Sequence, residues 1–200
     1  MMKRTGRICL LVVFVMSLIS SCGVTQLDAE VSTLIITQNQ EIVHVLVEEF
    51  NEQEYSATAL REMIQQEIES YHEAIGGGRI VLDQLIVEYE MVKMKMTYDS
   101  NIDYQEFNDI MLFIGSIEEA LELDYIPKNV QLMGVDEEAT YSREQIRELE
   151  ESDSFTVVIV DEVVGIRVPE PIRFYTKGLE LSGDMELLES QLMTQTIVIY

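Results

Sequence analysis

The sequence has no Trp, three Pro, two Cys, and 13 Lys+Arg to set against 37 Asp+Glu in 200 residues. Each shortage excludes something. So few basic residues exclude a nucleic-acid binder, whose affinity comes from clustered Lys and Arg on phosphates. They equally exclude a polybasic patch on an anionic membrane. Two cysteines cannot build a multi-disulfide scaffold. Without Trp the best sugar-stacking side chain is missing, although nine Tyr remain. Apolar residues are not short: they make up 47% of the chain. A formal charge of −24 therefore does not describe a disordered acidic tail, which lacks the apolar surface needed to offset chain entropy. The length suits one domain, or two small ones, with a real core.

The first 22 residues carry the most specific pattern. Lys3, Arg4 and Arg7 form a basic start, and Ile8 to Ile19 is an apolar run interrupted only by Ser17. A membrane-spanning helix needs about 20 apolar residues, so this run is short for one. It has the length of a signal-peptide core. Ile19-Ser20-Ser21-Cys22 follows, an aliphatic residue and two small ones before Cys. This looks like the lipobox of bacterial lipoproteins, which implies a diacylglyceryl group on the Cys22 thiol and cleavage between Ser21 and Cys22. An ordinary secretory signal with a coincidental Cys is the alternative. Two acyl chains anchor firmly where one does so only marginally. Loss of residues 1–21 removes three basic residues and no acidic one, leaving 10 Lys+Arg against 37 Asp+Glu, a charge of −27 on 179 residues. Cys9 goes with the leader and Cys22 carries lipid, so residues 23–200 hold no thiol for catalysis or metal ligation.

The remaining chain reads as an α+β domain over 32–200, tethered by residues 22–31, with a possible subdomain division near residue 99. Thr33–Thr37 and Ile42–Val47 are expected strands of a hairpin around Gln38-Asn39-Gln40, with a polar loop from Phe50 to Tyr55. Ser56 is placed to cap a helix over 57–75, whose apolar side would be Leu60, Met63, Ile64, Ile68, Tyr71 and Ile75, ending at Gly76-Gly77-Gly78. Ile80–Val87 and Met91–Tyr98 read as two more strands around Tyr89-Glu90. The N-terminal half is thus ββαββ with antiparallel sheet character. The second half mixes helix and strand. Asn101–Phe113 reads as a helix broken by Gly115, and S-x-x-E/Q boxes at Ser116/Glu119 and Ser142/Gln145 open helices to about Leu123 and Glu151. Val130–Val135, Phe155–Val160, Val163–Val168, Ile172–Thr176 and Thr196–Tyr200 read as strands, and Met185–Leu192 fits either helix or strand.

Candidate chemical motifs fall short of their requirements. Asp99, Asn101 and Asp103 match the start of a calcium loop, but Tyr104 stands where Gly is needed and Ile110 where a bidentate Glu is needed. A helix cap at Ser100 or Asn101 explains them as well. The dense acidic stretch (Asp136, Glu137, Glu138, Glu144, Glu148, Glu150, Glu151, Asp153) fits loose divalent-cation binding or simply a solvated face. His72-Glu73 lacks the second His of a zinc helix. His44 alternates with Val43 and Val45 and is expected on a solvent or partly covered face. The triple Gly lacks a following Lys-Ser/Thr, so it is no phosphate loop. Met94 and Met96 fit core better than copper ligation. With 37 carboxylates, no glycosidase-type pair can be nominated.

Beyond the lipobox, the chain resembles small lipoproteins of Gram-positive, clostridial-type bacteria. The resemblance rests on Thr33-Leu34-Ile35-Ile36, Ile42-Val43-His44 with Val47-Glu48-Glu49-Phe50, Tyr55 with the Leu60–Tyr71 helix, and Phe113-Ile114-Gly115-Ser116-Ile117-Glu118-Glu119-Ala120. These motifs are structural and carry no catalytic residue across. One departure is Gln38-Asn39-Gln40 where a Gly turn is expected, with Asn39 suited to the left-handed conformation. The expectation is a membrane-anchored extracytoplasmic protein, a non-enzymatic binding or accessory module whose acidic surface suits a protein partner with a basic face. No cofactor, metal ligand or catalytic residue is nominated, and a small-molecule ligand is left open. The alternatives are a cell-envelope enzyme using paired carboxylates and a weak divalent-cation binder.

Overall fold

The computed structural model describes residues 30–51, 56–136, 139–149, 154–188 and 195–200. Ser21, Cys22 and the leader lie outside the described residues, as do Tyr55, Glu137, Glu138, Glu150, Glu151 and Asp153.

The first half follows its local signals closely. Strands β1 (Thr33–Ile36) and β2 (Ile42–Glu49) form an antiparallel hairpin with Leu34 opposite His44. Its turn closes with the Gln40 N–H donating to the Thr37 carbonyl, 3.0 Å, and the Glu41 N–H donating to Thr37 Oγ1, 3.0 Å. The left-handed residue is Gln40, φ 63°, and not Asn39 as expected. A tight turn followed by a left-handed residue is a common three-residue hairpin, and here its position is set by where the strand ladder resumes.

Helix α1 (Ala57–Ile75) starts at Ser56, whose Oγ accepts the Ala59 N–H, and stops at Gly76, which sits at φ 76° and donates to the His72 carbonyl. A left-handed C-terminal residue is a position that glycine fills without steric cost. Ile64 and Ile68 face the core, but Met63, expected beside them, is exposed at 52%. The helix packs chiefly along β3, so its buried stripe is narrower than its apolar arc. Arg61 fastens the helix by donating to the Leu85 carbonyl, 2.9 Å. Strands β3 (Ile80–Glu88) and β4 (Met91–Tyr98) pair antiparallel around Tyr89 and Glu90, both at positive φ.

The second half departs more. Helix α2 covers only Asn101–Asn108. Asp109 takes φ 55° and ends it, and Leu112–Ser116 is a strand, β5, that contains Gly115. Local apolar spacing favours continuing the helix, but the partner strand decides: Phe113 and Gly115 pair opposite Ile159 and Val157. A Cβ on Gly115 would lie 2.5 Å from Phe113 Cζ and 2.8 Å from Glu119 Oε2, because the Phe113 ring and the capping carboxylate lie over that position. Helix α3 (Ile117–Glu122) opens on the complete Ser116/Glu119 capping box. Strands β6 (Leu132–Gly134) and β7 (Thr140–Tyr141) precede helix α4 (Arg143–Arg147), which opens on the Ser142/Gln145 box and ends at Glu148, short of the expected Glu151. The chain then supplies β8 (Thr156–Val160), β9 (Gly165–Arg167), β10 (Phe174–Thr176), β11 (Glu186–Leu187) and β12 (Thr196–Ile199).

The fold is α+β, built on two six-stranded, mostly antiparallel sheets. The first runs β11-β9-β1-β2-β4-β3 and the second β5-β8-β12-β10-β6-β7. Strand β1 pairs antiparallel with β2 and parallel with β9, so the late chain returns to complete the first sheet. One core joins the sheets with α1 and α2, through Leu34, Ile36, Ile42, Met96, Tyr98, Val158, Val160 and Val198. On the far side of the second sheet, Val157, Ile159, Ile197 and Ile199 pack with Ile117 and Ala120 of α3 and Ile146 of α4.

Candidate functional site

Two polar constellations meet at α2, and a surface cleft lies between α3 and α4. The first constellation is the start of α2. Ser100 is its N-cap, with Oγ accepting the Asp103 N–H at 3.2 Å, and the same hydroxyl donates to Asp103 Oδ2. Asp103 is almost fully buried. Its Oδ1 accepts the Tyr71 hydroxyl at 3.1 Å and lies 3.6 Å from the Arg79 guanidinium. The Tyr71 oxygen also stands 3.1 Å from Glu106 Oε2, so one phenolic proton serves two carboxylates. Desolvation first, then the hydrogen bonds to Asp103 and Glu106, hold that phenol above its usual value.

This resolves the Asp99, Asn101 and Asp103 spacing. Asp103 is enclosed by Ser100, Tyr71 and Arg79, and Asn101 donates its amide to the Leu112 carbonyl at 3.1 Å. The residues serve the cap and the link from α2 to β5. Among the described residues, no group of three or more His, Cys, Asp or Glu is arranged to hold a metal ion.

The second constellation is buried behind it. The Tyr104 hydroxyl donates to Glu162 Oε2 at 2.5 Å. Its ring meets His44 edge-on at 5.6 Å and Tyr98 at 5.1 Å, the T-shaped geometry that aromatic quadrupoles favour. Tyr98 donates to Asn108 Oδ1 at 3.4 Å. Burial pushes the Tyr98 phenol up to about 12 and raises that of Tyr104 as well. Burial also raises the Glu162 carboxyl, against the lowering effect of the Tyr104 donor.

His44 corrects the sequence expectation. It lies in the core, 7% exposed, on the same face of β2 as Ile42, while Val43 and Val45 point the other way. Both alternating sets on β2 are apolar as far as Val47 apart from this one residue, and each ends in one Glu, so period-2 reasoning had no means of choosing the inner face. The His44 Nε2 is buried without a hydrogen-bond partner. Burial alone lowers its pKa to about 4, so the ring is neutral at ordinary pH. It touches Tyr104 through its ring and makes no hydrogen bond to Glu162, which leaves it without the base-to-acid geometry of a catalytic dyad.

His72 has a different task. Its Nε2 accepts the N–H groups of Arg79 and Ile80, both at 3.1 Å, and so steers the chain from α1 into β3. Met96 is buried and Met94 packs against the same core, as expected of core residues. Of the acidic stretch, Asp136 pairs with Arg173 at 3.1 Å, and Glu144 and Glu148 are exposed.

The Tyr104–Glu162 bond gives a direct test. Tyr104→Phe is expected to cost about 2 kcal/mol at neutral pH, the usual value for a lost hydrogen bond to a charged group. The cost should shrink in acid, where Glu162 takes up a proton and asks less of its donor. Urea unfolding at two pH values measures both; equal costs would show that the carboxylate charge plays no part.

The cleft between α3 and α4 has a volume of about 410 Å³. Ile117 and Leu121 line it with Glu118, Glu122, Arg143, Glu144 and Arg147. Arg143 is committed to Asp124, 2.5 Å, and to the Leu121 carbonyl, 3.0 Å. Its guanidinium holds the Asp124 carboxyl below the usual range. Glu162 and Arg143 both escaped sequence reasoning. Asp161 and Glu162 together interrupt the apolar run from Val158 to Val164, a signal that marks the pair and not Glu162 by itself.

No family model, curated protein or solved structure matches the chain. Among the described residues, no helix is long and apolar enough to cross a membrane.

Proposed function

We propose that this chain is a lipid-anchored protein of the extracytoplasmic membrane face, acting as a non-enzymatic binding or accessory module for a protein partner with a basic surface. The observation that carries it is the ordered succession of Lys3, Arg4 and Arg7, the apolar run from Ile8 to Ile19, and Ile19-Ser20-Ser21-Cys22. It belongs with the small lipoproteins of clostridial-type bacteria that the sequence resembles. The first sheet strand starts at Thr33, so about eleven residues separate the lipidated Cys22 from the fold. At about 3.3 Å each they reach no further than a few tens of ångströms from the bilayer. A domain this acidic is repelled by anionic headgroups, which makes the acyl chains the whole of the attachment.

The geometry at α2 favours a binding role over paired-carboxylate catalysis. Asp103 is enclosed by Ser100, Tyr71 and Arg79 and meets Glu106 only through the shared Tyr71 hydroxyl, so the two carboxylates are engaged with the fold. Metabolic labelling with palmitate tests the anchor. The full chain is expected to label and sediment with membranes, and Cys22→Ala is expected to lose both properties completely. A Cys22→Ala chain that still labels and sediments would overturn the proposal.

A further inference from the structure

We infer that the cleft between α3 and α4 is the docking site of the partner, and that it takes a short peptide segment carrying Lys or Arg on either side of an apolar side chain. The inference rests on the binding-module reading and gives it a location.

The cleft's floor is apolar and its rim is acidic. Half-buried Leu121 of α3 forms the accessible part of the floor, with Ile117, one turn earlier and itself buried in the core below, closing its base. Glu118 and Glu122, also one turn apart, flank it from α3, and Glu144 faces them from α4; all three are exposed. Arg143 does not neutralise this rim, because Asp124 and the Leu121 carbonyl already engage its guanidinium. That leaves Arg147 as the remaining cation of the lining against three carboxylates. At about 410 Å³ the space falls in the usual range for ligand sites, about 300–1,000 Å³.

The chain beyond α3 carries two more exposed large side chains. Just past α3, Leu123 is 56% exposed and Tyr125 36% exposed, on either side of the Asp124 that holds Arg143. A bare cation has no use for the Ile117 and Leu121 floor. A nucleic acid or an anionic lipid is repelled by the rim and by the whole molecule's charge of −24. An amphipathic basic segment satisfies both: its apolar side chain covers the floor and its ammonium or guanidinium groups reach Glu118, Glu122 and Glu144. The surrounding negative field speeds the encounter and makes it sensitive to salt.

The test uses the full chain in zwitterionic nanodiscs, titrated into a fluorescein-labelled peptide KLKFK and its acidic counterpart ELEFE, with empty nanodiscs subtracted. Saturable binding of KLKFK alone is expected, weakening as salt rises. The triple variant Glu118→Gln, Glu122→Gln, Glu144→Gln should bind about ten-fold more weakly, as three rim charges at some tenths of a kcal/mol each imply. A charge-matched variant on exposed positions of α1 (Glu62→Gln, Glu69→Gln, Glu73→Gln) should bind as the parent does. Absence of saturable binding, equal binding of ELEFE, or equal weakening in the two variants would overturn the site. So would a dimer of the chain that the cleft variant dissociates, since a second copy would then own the surface. Failure here leaves the Cys22 labelling result standing, and failure of that labelling leaves this binding result standing, so the two claims fall separately.

Discussion

Replacing His44 by Phe is expected to remove about 3 kcal/mol of acid sensitivity from the fold. The wild-type ring is buried, its Nε2 lacks a partner, and its pKa falls to about 4 from the ordinary 6.5. Between those two values the unfolded chain binds the proton and the folded chain does not. Stability contributed by neutral His44 is therefore full above about pH 6.5 and drains away as the pH falls towards 4, at up to about 1.4 kcal/mol per pH unit. Glu162 acts with the opposite sign. Its folded carboxyl is raised by burial, so the folded state holds that proton more tightly and gains relative stability as the pH drops into the carboxylate range. Exposed Glu119 and Asp124, whose carboxyls are lowered by Ser116 and by Arg143, lose their favourable contribution in stronger acid. Over the window from about 6.5 to 4, His44 is thus the group that removes stability as the pH falls, with Glu162 partly opposing it at the carboxylate end. Phe keeps an aromatic edge for Tyr104 and removes the unpartnered nitrogen, so at neutral pH the variant should equal or exceed the parent by about 1 kcal/mol. Urea unfolding across that window should give a flatter curve for His44→Phe; parallel curves would refute the argument.

Asp103→Ala should be the most damaging single polar change, at about 2–4 kcal/mol. It removes the acceptor for Ser100 Oγ and for the Tyr71 hydroxyl, and with them the tie from the α2 cap to α1. The Ser100 cap itself survives, because it accepts the backbone N–H of residue 103, so the cost comes from the lost buried hydrogen bonds to a charged group, about 1.5–3 kcal/mol each and not fully additive. The Arg79 pairing adds little, because at 3.6 Å its guanidinium is more than half exposed and returns to water. Asp103→Asn keeps an acceptor oxygen and should cost about half as much. Arg79→Gln should fall within about 1 kcal/mol of the parent. Denaturant midpoints order the three; an Arg79→Gln loss equal to that of Asp103→Ala would mean that the ion pair, not the hydrogen bonds, holds the segment.

These two residues show where sequence reading stops. Ser56, Ser116 and Ser142 declared their helices because a cap is a contact between residues three apart, complete within the local chain. Strand β4 declared itself by alternation, and β3 by its apolar content before a two-residue turn. By contrast, Ile110 to Ile114 has apolar spacing that a helix would accept, and only pairing with β8, more than forty residues on, makes the stretch from Leu112 a strand. Parallel pairing of β1 with β9 leaves no local trace either.

The candidate sites divide in the same way. The Cys22 signal is linear, a matter of adjacent residues, and the sequence alone determines the expectation of lipid there. It also determines the acidity and the caps, because charge and i-to-i+3 contacts need no fold. Only the tertiary structure brings Glu162 to Tyr104 across 58 positions, turns His44 inward, and sets Glu144 of one helix against Glu118 of another. The reason is physical: which face of an apolar strand is buried depends on the layer laid against it, and that layer is assembled from distant parts of the chain.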